Sequence, residues 1–290
     1  TNPNGPGAVV GSPTLTVSPS QISNTGTKDI YLKCSIPCVT LDSLSREVPT
    51  SDVTIDLTGG LSTSFDLTPE TARELTLASG TIPVYLVVNG FNRNNRARSI
   101  LVSLSYSGAS TGLIGNDSQS IVLSNDTADI VIVPFAINLT SNITLDANTK
   151  LTLTVANNSQ ANRGLTIHTL DSSFTSKVQL NSNTVVNVDS VDTYNDAFPA
   201  GSIVTSRTPS ETAYIRAVVS DPFGAFDINP DCPLNTVDPD CPAITVTGPT
   251  DAVLTTTMRL VDDPAIDDGT RTYEYQYTVP PEGTGTGELS

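Results

Sequence analysis

Apolar and polar residues alternate along most of this chain, with Val, Ile, Leu and Tyr set at every second position among Thr, Ser, Asn and charged residues. In AYIRAVVS, Ala213, Ile215, Ala217 and Val219 share one face, and Tyr214, Arg216, Val218 and Ser220 share the other. In RTYEYQYTV, Tyr273, Tyr275, Tyr277 and Val279 oppose Thr272, Glu274, Gln276 and Thr278. The same period runs through DIYLKCS (29–35), IPVYLVVNG (82–90), RSILVSLSYS (98–107), DIVIVPFAINLT (129–140) and KLTLTVAN (150–157). Successive side chains of a strand point to opposite faces, so period two with β-branched enrichment predicts strands. Many strands without intervening helical periodicity predict an all-β chain of tandem antiparallel β-sandwich domains.

Turn residues punctuate the runs. Asp221-Pro222-Phe223-Gly224 places Pro and Gly where a type I turn favours them. One helical signal stands out: Thr68 as N-cap, Pro69 at the first helical position and Glu70 in the first turn predict a short helix to Leu75. Composition shifts at 1–13, 107–118 and 181–196 suggest a flexible N-terminal arm (1–13) and a first sandwich (14–108). A smaller second one (109–184), separate or fused to the first, and a last one (185–290) follow.

Charge narrows the partners. The chain of 290 residues carries 14 basic and 30 acidic residues, a net charge of −16, which disfavours nucleic acid. Its apolar runs are far shorter than the roughly 20 residues a membrane-spanning helix needs, so no membrane insertion is expected. No signal peptide is visible, and TNPNGPG reads as a processed start.

The cysteines form two local pairs, Cys34/Cys38 and Cys232/Cys241. Their spacings suit zinc poorly, so local disulfides are expected, with reduced thiols as the alternative, and an oxidising compartment follows. Asp227, Asn229, Asp231 and Asp238 stand at positions 1, 3, 5 and 12 of a calcium-type loop. Cys232 replaces the glycine such a loop needs, so a solvated acidic loop is the first reading and bound calcium the second. Asn116, Asn125, Asn138, Asn142 and Asn157 each begin an Asn-x-Ser/Thr triplet, a glycosylation acceptor where the source has the machinery. Arg93, Arg96 and Arg98 cluster at a predicted hairpin tip, either an ordinary polar turn or an assembly contact for the acidic surface of another copy.

Catalytic constellations are not evident. His168, the one histidine, lies opposite Leu165 and Ile167 in GLTIHTL and is expected at the surface, and no G-x-S-x-G elbow occurs. The chain has no Trp to line a sugar cleft beside paired carboxylates.

The stretch FPAGSIVTSRTPSETAYIRAVVSDPFGAFDI, followed by AITVTGPTDAVLTTTMRLVDD and RTYEYQYTVP, resembles Ig-like modules of large secreted bacterial surface and adhesin-type proteins. The resemblance covers about residues 185–280. It implies an Ig-like last domain, a secreted, extracellular or cell-surface location, and no catalytic residues. Such modules add one more long strand after YTVP, so the last domain is expected to lack its final strand. Either the natural chain continues past Ser290, or an unpaired edge is left that would invite an extended segment of a neighbouring copy, with residues 1–13 and the strand TLTVS (14–18) as the available donor. These features together predict a non-catalytic structural subunit of a fibre, filament or matrix that self-associates. The alternative is an adhesin segment gripping glycan or a surface protein through its end loops.

Overall fold

The computed structural model describes residues 24–34, 41–92, 95–126, 129–171, 173–184, 187–205, 207–208, 210–223, 228, 243–247, 253–262 and 270–279. These residues divide between two compact units, Asn24–Thr184 and a second that begins at Val185. Both are built from strands, and no described residue is helical. The all-β expectation therefore holds, in mixed sheets that do not close into a barrel.

The first unit opens with β1 (Asn24–Cys34), β2 (Leu41–Ser45), β3 (Thr54–Leu57), β4 (Ser62–Leu67), β5 (Leu75–Leu77), β6 (Gly80–Phe91) and β7 (Arg96–Ser107). It continues with β8 (Thr111–Leu123), β9 (Val131–Leu139), β10 (Ile143–Leu145), β11 (Lys150–Asn157) and β12 (Gly164–His168). The short β13 (Leu170–Asp171) and β14 (Phe174–Thr175) pair with each other, and β15 (Lys177–Thr184) closes the unit. The main sheet runs β3-β12-β6-β15-β1-β2-β4-β11-β7-β8, with β9 added on β6 and β5 bridging β10 and β15. All pairings are antiparallel except β2 with β4, where Ser43 sits opposite Asp66.

Alternation produces the core directly. Phe65, Val102, Leu104, Leu151, Leu153 and Val155 are all buried, while their chain neighbours Ser64, Ser103, Thr152 and Thr154 lie on the other face. Register is reinforced at β1–β15, where Asp29 accepts hydrogen bonds from Lys177 Nζ (2.7 Å) and Gln179 Nε2 (2.8 Å). Burial opposes ionisation of Asp29, but those hydrogen bonds and the Lys177 charge outweigh it and hold the carboxyl below its usual value.

One expectation is corrected here. The helix predicted from Thr68 does not form, because Thr71 is fully buried and bonded across the unit instead. Its N–H donates to Thr149 O, and its hydroxyl donates to Asp146 O and accepts from Thr149 N–H. Tertiary hydrogen bonds therefore override a local capping signal. Residues 107–118, where a composition shift suggested a boundary between the first and second sandwiches, hold the turn and the start of β8 in a hairpin in which β7 pairs with β8 from Ser107↔Thr111 to Arg96↔Leu123.

The second unit contains β16 (Asn187–Tyr194), β17 (Thr212–Ser220), β18 (Ala243–Thr247), β19 (Val253–Thr257), β20 (Arg259–Asp262) and β21 (Thr270–Thr278). Its larger sheet is ordered β16-β17-β21-β20, and β18 pairs with β19. Ile215, Ala217, Val219, Ile228, Ile244, Met258 and Tyr273 form its core. Burial pushes the Tyr277 phenol above its usual value, and the neighbouring Tyr275 adds to that. The residues expected to follow YTVP as a final strand lie outside the described ones.

Candidate functional site

Two side-chain clusters and one sheet face in the first unit have the chemistry to act. The first cluster centres on His168 at the end of β12. It is 7% exposed rather than at the surface as expected, with Asp52 from the segment before β3 and Asn89 of β6 against its two ring nitrogens. His168 Nδ1 meets Asp52 Oδ2 at 2.7 Å, and Nε2 meets Asn89 Oδ1 at 3.1 Å. Thr169 hydroxyl donates to Ser51 O (3.0 Å) and lies 3.3 Å from Asp52 Oδ1, while accepting from Val53 N–H (2.8 Å). Ser176 hydroxyl donates to His168 O at 2.6 Å and accepts from Val87 N–H at 2.8 Å. The result is an imidazole oriented by a carboxylate, with a side-chain amide on its second nitrogen.

The second cluster is built on Arg98. Its guanidinium is fully buried and donates to Gly164 O (3.1 Å), Arg96 O (2.6 Å), Leu123 O (2.9 Å) and Phe91 O (3.2 Å). Gly90 makes room for it: a Cβ there would lie 2.7 Å from Arg98 Nη2. Burial, and then the charge of Arg163, lower the pKa of this guanidinium, which stays charged at ordinary pH. Arg98 is therefore a core residue that ties strand ends together rather than the exposed tip residue expected. Arg96 is exposed at the start of β7, and Arg93 lies outside the described residues.

The sheet face is the outer side of β4, β11, β7 and β8. Cross-strand register sets two rows of polar side chains on it. One row runs Asp66, Thr152, Ser105, and the other Ser64, Thr154, Ser103, Asn116. Neighbouring rows are separated by two residues along a strand, about 6.7 Å, and neighbouring strands by about 4.8 Å. The groups are already ordered by one another. Ser64 Oγ and Thr154 Oγ1 are 2.9 Å apart, Thr152 Oγ1 donates to Asp66 Oδ1 (2.7 Å), and Lys150 Nζ reaches Asp66 Oδ2 (3.1 Å).

The remaining candidates place as follows. Asn116, Asn125, Asn138 and Asn142 are exposed. Asn157 is fully buried, its Nδ2 donating to Leu57 O and Arg163 O, so a glycan there is incompatible with this fold. The side chain of Cys34, the whole of Cys38, Cys232 and Cys241, and the calcium set Asp227, Asn229, Asp231 and Asp238 lie outside the described residues. Among the described residues, no three His, Cys, Asp or Glu side chains are grouped to hold a metal, and no helix is long and apolar enough to cross a membrane.

No family model matches the chain, and no curated protein does. Among solved structures it is similar to a CocE/NonD family hydrolase from Staphylococcus aureus, at 11% identity and TM-score 0.43, covering 55% of this chain and 36% of that one. It is similar also to an aminopeptidase from a marine sediment archaeon, Thaumarchaeota archaeon, at 7% identity and TM-score 0.43, covering 54% and 37%. A third is an alpha-amino acid ester hydrolase, at 11% identity and TM-score 0.40, covering 54% and 36%. The chain spans less than two fifths of these proteins' length, and the activities named are theirs.

This finding corrects the resemblance drawn from the last module. The three structures named above are hydrolases, and none is an Ig-like module of a surface protein. The expectations of a non-catalytic structural subunit, a filament and an adhesin are withdrawn with it.

Proposed function

We propose that the 24–184 unit is a ligand-engaging domain whose outer β4-β11-β7-β8 face takes up a neutral, hydroxyl-rich chain such as a polysaccharide. The supporting observation is the charge of that face. In a chain of net charge −16, its two polar rows carry a single carboxylate, Asp66, which Lys150 compensates. A strand face meant only for solvent is free to carry charge at every outward position. This one carries mutually hydrogen-bonded hydroxyls, which exchange donors and acceptors with sugar hydroxyls at little ordering cost. Native gels cast with hydroxyethylcellulose, mixed-linkage glucan or galactomannan test the reading. The chain is expected to be retarded by at least one of them, and Thr154→Glu combined with Ser103→Glu to migrate freely. No retardation of the parent chain by any of the three overturns it.

A second reading is favoured by the Asp52–His168 pair. A carboxylate that fixes Nδ1–H leaves Nε2 free to take a proton from water as the oxygen adds to an ester carbonyl and the alkoxide leaves. Here Asn89 Oδ1, an acceptor, faces Nε2 at 3.1 Å and holds a hydrogen there, so Nε2 becomes a base only once substrate displaces that amide and the ring hydrogen sits on Nδ1 alone. His168 is the only imidazole in the chain, which makes the test clean. Release of p-nitrophenol from p-nitrophenyl acetate is expected to exceed the buffer rate and to fall about a hundredfold in His168→Gln, within the range of general-base contributions. A His168→Gln variant that keeps the parent rate ends this reading.

A further inference from the structure

We infer that Asp66 is the specificity-determining residue of the polar face, accepting hydroxyls of a neutral chain and turning away carboxylated ones. The inference rests on the reading of that face as a polysaccharide site. Asp66 lies at the β4 end of its row, between Thr152 on β11 and Ser43 on β2. An ionised carboxylate only accepts hydrogen bonds, and each oxygen offers two positions. Thr152 occupies one on Oδ1 and Lys150 one on Oδ2, which fixes the orientation of the group. The side chain remains 43% exposed, with the Lys150 side chain at 38%, so the other positions face outward beside an ammonium donor. Two oriented acceptor oxygens on one carbon suit a pair of adjacent hydroxyls, and O–H···O⁻ bonds are short and strong. Lys150 already pairs its charge with Asp66, so a carboxylate arriving on the ligand is a second negative group beside a single ammonium and finds its charge unmatched. Ser64, Thr154 and Ser103 in the next row are neutral and carry no such bias.

Hydroxyethylcellulose and carboxymethylcellulose share a backbone and differ in charge, so dissociation constants for both from affinity gels isolate the effect. Asp66→Asn is expected to weaken hydroxyethylcellulose binding about tenfold, as loss of charge-assisted hydrogen bonds does. It is also expected to narrow the preference for the neutral polymer by about tenfold. Asp129→Asn, which removes the same charge from an exposed position in the same unit, is expected to change neither value. Melting temperatures of the variants report any loss of fold, and Asp66→Glu is expected to restore part of the selectivity. If the parent chain is retarded but Asp66→Asn matches it in affinity and preference, the role of Asp66 is overturned while the face stands. If the parent chain is not retarded at all, the face itself fails.

Discussion

Replacing Arg98 with Met is expected to destabilise the 24–184 unit by about 3–5 kcal/mol, because it takes the donor from the buried carbonyls of Leu123 and Gly164 and from the part-buried ones of Phe91 and Arg96. Met keeps most of the aliphatic stem, so little of the loss comes from an empty volume. What disappears is the fork that donates to Phe91, Arg96, Leu123 and Gly164. Each acceptor left dry costs about 1–3 kcal/mol, and partial relaxation keeps the sum below four full penalties. Arg98→Lys should fall between, since an ammonium restores some donors but cannot span the same set. Hydrogen exchange resolved by unit is the suitable readout. Faster exchange is expected first at Gly90 N–H, which bonds Ser124 O beside the guanidinium. An Arg98→Met protein within 1 kcal/mol of the parent in urea unfolding would show that Arg98 is not a structural pin.

The second large effect is expected in the other unit. Arg216 Nε and Glu274 Oε2 lie 2.8 Å apart on neighbouring β17 and β21, with side chains 7% and 4% exposed. Arg216 also donates from Nη2 to Asp196 O and Ala200 O, and its guanidinium sits 3.9 Å from the Tyr194 ring centroid. Glu274 accepts Phe198 N–H at 2.9 Å, so the pair draws the 195–202 segment over a face whose pattern reads as solvent-facing. Removing one partner strips the other buried charge of its main counter-ion, Glu274 keeping only the exposed Arg259 at 4.0 Å, and Arg216→Met or Glu274→Leu alone should cost about 3–5 kcal/mol. Changing both together should cost much less, since a buried pair roughly balances its own desolvation. A double-mutant cycle on the unfolding free energy measures this coupling, and simple additivity of the two singles would refute it.

The two arginines show where reading the sequence succeeds and where it stops. Arg98 has the same parity as Ile100, Val102 and Leu104, so strict alternation already places it on the buried face. The cue was available, but positive charge near a turn favoured exposure. Arg216 differs, because its parity puts it on the outer face, and only the folding-over of 195–202 buries it. His168 follows Arg216: alternation sets it apart from Leu165 and Ile167, and Asp52 and Asn89, 116 and 79 residues away in the chain, enclose it. Within the polar face each hydroxyl was legible as an outward strand residue. Nothing in the sequence says that Ser64 lies against Thr154 or Asp66 against Thr152.

By itself, the sequence determined the strands, which side of most of them is dry, and an acidic chain with very few imidazoles or thiols. These are local properties, since side-chain direction in an extended backbone depends only on position parity. Tertiary structure alone decided the pairing order, the loss of the Thr68 helix to cross-chain hydrogen bonds, and the burial of Arg216 and His168. Those outcomes depend on contacts between residues far apart in the chain, whose free energy no local pattern encodes.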